Sequence, residues 1–399
     1  MYGVPGTAAH GRKVGGMLAN PGGKRLAWFL ALAGAVAAAA GCGPRSGIVP
    51  AGALPGLRRS IVPDATLVIR DQHHRVYRGL AIATRHGDCV RIENSTGISI
   101  EASQIGPCGG VGVSISGGGD IEVLDSYIHP ETKSRGCCDR NDGIFVTGAT
   151  GVTIAGNVLA YGESNVEASG GATKLAVVGN FLLNPRGPFP RGQNVQAWQA
   201  SNVLVRDNYT LSSTDTTRYK YPDDQEDSIN FGIGSAFAAA DNYITGGHSP
   251  TGCGLIADDG ANAAHFHGNR LVNSGQCGIG VASGTDQIVD GNRIINQTPV
   301  KGGGNTALYV WKQYRHRPCG PVSVTGNIAT EVRRNGEQSG YWDGGGCGPV
   351  TLKGNVWNQA ARKLLTPPGK KLPPPLIPPR PSRCEIESPY TTQTKWPAC

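Results

Sequence analysis

Charge is scarce in this chain. Asp, Glu, Lys and Arg together supply only 17% of its 399 residues, and aromatic residues only 6%. So few rings leave little surface on which bases could stack, and no known nucleic-acid motif is present. Nucleic acid is therefore not an expected partner, despite a formal charge of +8. No Cys-x-x-Cys pair occurs, which argues against a zinc framework. Long apolar runs are also lacking. The stretch from Leu26 to Gly41 is 16 residues, short for a membrane span. With Lys24-Arg25 before it and Ala-Ala-Gly-Cys after it, it reads as an export signal over 1–41.

Glycine is abundant, at 60 residues, and proline follows at 27. Both punctuate a repeat: an alternating apolar run, then Gly-Asn or Asp-Asn, then another apolar residue. VTIAGNVL, LAVVGNFL, VLVRDNYT, FAAADNYI, AHFHGNRL, QIVDGNRI, VSVTGNIA and VTLKGNVW are its copies. Their Asn residues are Asn157, Asn180, Asn208, Asn242, Asn269, Asn292, Asn327 and Asn355, with Ser126 and Ser103 in the same slot upstream. The spacings are 23, 31, 23, 28, 34, 27, 23, 35 and 28, a unit of 23 with loop insertions. A fixed short period with period-2 alternation is a β solenoid. Three strands and three turns make one coil, and stacked coils repeat every ~4.8 Å. The inward Asn residues then bond to one another along one corner.

The repeat resembles that of the bacterial exported right-handed parallel β-helix proteins of the pectate-lyase superfold. The expected fold is all-β, a single-stranded right-handed parallel β-helix of about ten to twelve coils over 64–358. Residues 42–63 form an anchor and linker, and 359–399 a Pro-rich tail. Ala39-Ala40-Gly41-Cys42 resembles a bacterial lipoprotein cleavage box, with Ala39 where Leu is preferred. That implies an exported lipoprotein of the periplasm or cell surface, in contact with membrane only through a lipid on Cys42. Met17 gives a more ordinary signal length than Met1. The expected state is a monomer.

Setting Cys42 aside leaves ten cysteines, which suits an oxidising compartment. Cys319 and Cys347 share a context one coil apart, as do Cys253 and Cys277. Cys108 groups with Cys137 and Cys138, and Cys384 with Cys399 in the tail. Disulfides or stacked thiols are both consistent with this.

A second strand of each coil aligns as DCVRI, VGVSI, DGIFV, SNVEA, QNVQA, DSINF, CGLIA, CGIGV and TALYV. Third and fifth positions point inward, first and fourth outward. The outward set is Asp142, Phe145, Ser164, Glu167, Gln193, Gln196, Asp227 and Asn230, extended by Trp198, Asp258 and Trp311. The expectation is a solvent-facing wall of carboxylates, amides and indoles, the chemistry that holds a sugar chain. Arg186 to Arg191 spell Arg-x-Pro-x-x-Arg, which resembles a pectate-lyase signature. That resemblance implies Arg191 as base and a Ca2+ ion held by Asp142, Glu163 and Glu167. Arg186 would pair with a uronate, or serve as a turn residue bonded to carbonyls. The family's His- and Asn-containing continuation and its Asp-His motif are absent, and no Asp-Pro-His epimerase motif occurs.

Three functions stay open. The first is Ca-assisted β-elimination of an acidic polysaccharide. The second is inverting hydrolysis by carboxylates such as Glu163 and Asp227, two coils apart. Asp258-Asp259 resembles the Asp pair of polygalacturonases, without their Gly-His-Gly and Arg-x-Lys elements. The third is non-catalytic polysaccharide binding on Trp198, Tyr309 and Trp311. The long insertions before Asn242 and Asn327 carry Arg218, Lys220, Lys312, Arg315, His316 and Arg317, a positive rim suited to an anionic polysaccharide.

Overall fold

The alternation that marks each repeat folds as three short strands. The computed structural model describes residues 61–63, 65–130, 140–187, 192–212 and 225–359, and all its regular elements are strands. They form three parallel sheets of 12, 11 and 11 strands, in which each strand pairs with the third one along the chain. One coil thus contributes one strand to each sheet, and about eleven coils stack into a parallel β-helix.

The Gly-Asn and Asp-Asn dipeptides have a backbone cause. The residue before each ladder Asn turns the corner at positive φ: Gly156 at 67°, Gly268 at 63°, Gly326 at 64°. Glycine adopts this freely, and Asp, at Asp207 (56°) and Asp241 (55°), tolerates it better than most residues. The Asn that follows is turned inward and buried. Asn269 Oδ1 accepts from the Asn242 amide at 3.0 Å and from its Nδ2 at 2.9 Å. The Asn269 amide and Nδ2 donate in turn to Asn292 Oδ1, both at 2.9 Å. The same bonds run from Asn157 to Asn355, and Ser126 and Ser103 continue them upstream.

Side chains between the corners fill the core in vertical rows of Ile, Val, Leu and Ala. Phe231, Phe237 and Phe266 stack inside it, with ring centroids 4.8 and 5.8 Å apart. Such rows lose water-accessible apolar area on all sides, which is the main stabilising term.

Disulfides join Cys253 to Cys277 and Cys319 to Cys347, the pairs in matching contexts. Cys108 bonds instead to Cys89, with Cα atoms 5.5 Å apart. Cys137 and Cys138, its expected companions, lie outside the described residues. So do the export segment, Cys42, residues 43–60 and the tail from 360.

Candidate functional site

The second strand of each coil builds one sheet. Its members include β5 (Val90–Glu93), β8 (Val113–Ser116), β11 (Ile144–Thr147), β14 (Val166–Ser169), β17 (Val195–Ala197) and β20 (Ile229–Phe231). It continues through β23 (Cys253–Ala257), β26 (Cys277–Val281), β29 (Thr306–Trp311) and β32 (Tyr341–Gly345). The register expected from sequence is the observed one. Val90, Val113, Ile144, Val166, Val195, Ile229, Leu255, Ile279 and Leu308 are successive partners and are buried in the core. The fourth position therefore forms a row on the other side: Phe145, Glu167, Gln196, Asn230, Ile256, Gly280, Tyr309 and Trp342.

This row is not the solvent-facing wall expected. Asp142, Phe145, Ser164, Glu167, Gln193, Gln196, Asp227 and Asn230 are all buried, although they point away from the core. Strands ~4.8 Å apart let each such side chain cover its neighbour, and turns close over them. The Arg186 amide donates to Gly162 O at 2.8 Å and the Gly187 amide to Glu163 O at 3.1 Å, so that turn lies on the coil before it.

The N-terminal part of the row holds Asp142, Glu163 and Glu167 on two successive coils. Asp142 Oδ1 accepts from the Ser164 amide at 3.0 Å, and the Ser164 hydroxyl donates to Gln193 Oε1 at 2.9 Å. Glu163 is fully buried. Arg140 stands 4.0 Å from Glu167 and 3.8 Å from the Phe145 ring centre. The three carboxylates are a suitable donor type for a hard cation, and the Arg140 guanidinium already compensates Glu167 from one side. Arg186 donates its Nε to Tyr161 O and an Nη to Asn141 Oδ1, the turn role allowed for it. Arg191, Arg218 and Lys220 lie outside the described residues.

A second ladder, of Asn165, Asn194 and Ser228, fixes these strands. Asn165 Nδ2 donates to Asn194 Oδ1 at 2.9 Å, and Asn194 Nδ2 donates to Ser228 Oγ at 3.1 Å. They occupy the second position of SNVEA, QNVQA and DSINF. The polarity of that position inside an apolar strand is the signal in the sequence that points to this ladder.

Two coils further on stands a buried carboxyl whose acidity is strongly altered. Asp227 Oδ1 accepts from the Cys253 amide at 2.7 Å and Oδ2 from Asn230 Nδ2 at 2.8 Å. Burial pushes its carboxyl well above the usual range, and the charges of Glu226 and Asp258 push it further. Glu226 is raised too, by burial first, against a lowering hydrogen bond from Thr251. Asn230 Nδ2 also lies 3.4 Å from Asp258 Oδ2, so one amide touches both Asp227 and Asp258. Asp258 Oδ1 accepts from the Tyr314 hydroxyl at 2.7 Å. Burial and the adjoining Asp258 hold that phenol protonated. Asn230 Oδ1 is buried without a hydrogen-bond partner. Turning the amide over would let it accept a proton carried by Asp227.

Beyond this cluster the face becomes apolar. Ile256, Tyr309, Ala282 and the Cys253–Cys277 pair pack on it, with Tyr314 alongside. A Cβ at Gly280 would lie 2.6 Å from the Tyr309 ring, one at Gly232 2.1 Å from Trp198, and one at Gly344 2.5 Å from Trp311. Glycines thus leave flat seats for the rings. A cleft of about 400 Å³ opens here, lined by Thr251, Gln276, Gly304, Thr306, Tyr309, Trp311, Gln313, Arg333 and Trp342. Trp311 and Trp342 are 38% and 42% exposed, large for indoles, with centroids 5.9 Å apart.

Tyr314, Arg140, Gln276, Arg333 and Trp342 were not foreseen as site residues. Trp342 was within reach, since carrying the strand alignment one coil further pairs it with Tyr309. The expected positive rim is partly neutralised: Arg317 bonds Asp259 at 2.8 Å and His316 lies 3.7 Å from it.

No protein-family model and no curated protein matches the chain. Solved structures do. The Dettilon tailspike protein superposes with a TM-score of 0.52 at 13% identity, over 74% of this chain and 58% of its own. This chain thus spans less than two thirds of that tailspike's length. DFA-IIIase from Arthrobacter chlorophenolicus A6 in complex with DFA-III gives 0.48 at 12%, over 76% and 86%. Endo-xylogalacturonan hydrolase from Aspergillus tubingensis gives 0.44 at 11%, over 72% and 84%. Identities this low speak for fold alone, and with three parallel sheets wound coil upon coil the chain is a right-handed parallel β-helix protein.

Proposed function

We propose that this chain is an extracytoplasmic glycoside hydrolase acting on a polysaccharide laid across β20 to β32. The observation that carries this is the carboxylate cluster beside an aromatic cleft. Asp227 is the buried member of the cluster, and burial, then the neighbouring charges of Glu226 and Asp258, raise its carboxyl, so it is the group that keeps the proton. A neutral carboxylic acid is what a glycosidic oxygen needs as it leaves. Asp258, fixed by Tyr314 and partly accessible, is the companion that activates water or meets the sugar cation. It replaces Glu163 in the pair expected from sequence, because one amide joins Asp258 to Asp227 and Glu163 lies two coils away.

The cleft supplies sugar chemistry. Indole faces cover the apolar side of a pyranose, while Gln276, Gln313 and Thr251 meet its hydroxyls. Arg333 lines the same cleft, and its buried Nε has no hydrogen-bond partner. A guanidinium there suits a uronate carboxylate, which favours an acidic polymer. The three disulfides among the described residues suit an oxidising compartment.

Incubation with a panel of acidic and neutral polysaccharides, with Ca2+ or chelator, tests the reading. New reducing ends without absorbance near 235 nm are expected, and a chelator should not matter. Absorbance that needs Ca2+ would overturn hydrolysis in favour of elimination at Asp142, Glu163, Glu167 and Arg191. Binding without cleavage would leave a carbohydrate-binding protein.

Two variants probe the cleft. Trp311→Ala should raise KM about tenfold with kcat little changed, since a stacked ring contributes on the order of 1–2 kcal/mol. Arg333→Gln should weaken binding of acidic polymers and leave neutral ones alone, as isothermal titration would show.

A further inference from the structure

A different sheet carries a second cluster of ligating side chains. β24 (Ala261–His267) and β27 (Gln287–Asp290) are neighbours in it. Alternation places His265 and His267 on one side of β24, with Phe266 between them buried in the core. Asp290 is the register partner of His267 on the next coil. Its Oδ1 lies 2.6 Å from His265 Nε2, and its Oδ2 lies 2.9 Å from His267 Nδ1. One donor atom from each of the three falls within 4.8 Å of the others.

We propose that His265, His267 and Asp290 bind a borderline divalent cation, Zn2+ foremost, which clips two successive coils together. Two imidazoles and one carboxylate suit zinc and its neighbours, and do not suit Ca2+ or Mg2+, which take all-oxygen sets. Three protein ligands leave a fourth position for water or a further ligand. Tetrahedral zinc holds two ring nitrogens about 3.4 Å apart, which modest side-chain rotation supplies. Space is available, because the residues beside His265 and His267 on the previous coil are Ala238 and Ala240, and the partner of Asp290 on the next is Thr325. The rings are also accessible, with side chains 32% and 50% exposed. Each imidazole binds through the nitrogen that faces Asp290, its proton moving to the other ring nitrogen or to solvent.

The test uses the whole chain, purified without a histidine tag and freed of metal. Calorimetric titration with ZnCl2 should show one equivalent bound, and Co2+ should give the visible absorption of a low-coordinate site. His265→Ala, His267→Ala and Asp290→Asn should each weaken Zn2+ binding at least tenfold and abolish a Zn2+-dependent rise in Tm. His316→Ala and Asp227→Asn should leave it unchanged, which separates this site from the carbohydrate cleft. CaCl2 should produce no heat that these three substitutions remove. Wild-type protein that takes up no zinc, or His267→Ala protein that binds it equally while keeping its strand-type circular dichroism, would overturn the proposal.

Discussion

Asp227→Asn is expected to lower kcat about a thousandfold while the protein stays folded. General acid catalysis contributes on the order of a hundredfold to ten-thousandfold, and Asn cannot supply the proton. The replacement keeps the shape. Its Oδ1 can still accept the Cys253 amide, and its NH2 can donate to the unpartnered Oδ1 of an Asn230 turned over. Circular dichroism and Tm should therefore change little. The pH dependence carries the same logic. Burial, then Glu226 and Asp258, raise the Asp227 carboxyl, so the wild-type rate should fall as pH rises through that raised value. Stability follows the same sign. The folded state holds a proton that the unfolded chain releases above about pH 4, so this contribution is complete below that pH and is lost as pH climbs through the folded value. A kcat that Asp227→Asn leaves within tenfold of wild type would remove Asp227 from the chemistry.

Asn269→Leu is expected to cost at least about 3 kcal/mol of stability, read as a fall in the denaturant midpoint. Leucine keeps the volume but deletes an amide that is bonded on three sides. Asn269 Nδ2 serves Ala239 O at 2.8 Å and Asn292 Oδ1 at 2.9 Å, while its Oδ1 receives two bonds from Asn242. None of these groups can turn to water, because Asn242, Asn269 and Asn292 are all buried. Each buried group left unmatched costs about 1–3 kcal/mol. Among the described residues Asn355 ends the ladder and is half-buried, so Asn355→Leu should cost distinctly less. Equal losses at both positions would mean that the ladder contributes little and that volume alone matters.

Strand phase, corner and register were legible in the sequence, for one reason. In a solenoid, the residue one repeat away in sequence is the neighbour one coil away in space. Gly-Asn and Asp-Asn mark the positive-φ corner, and the nine aligned strands show which residue stacks on which. Matching contexts likewise paired Cys253 with Cys277 and Cys319 with Cys347. Chemistry that lies along one row, such as Glu167, Gln196 and Asn230, came with the alignment.

What sequence could not supply is whatever crosses between rows or depends on water. Tyr314 reaches Asp258 from a loop insertion, 56 residues away, where no period applies. Cys89 bonds Cys108 within a single repeat length, off the vertical rows. Alternation fixes the direction of the outward wall but not what covers it. Asp227 is buried only in the folded chain, and that burial makes its proton hard to lose. Repetition along the chain therefore determined the scaffold and the candidate rows. The tertiary structure alone decided which carboxylate is desolvated, and desolvation sets acidity.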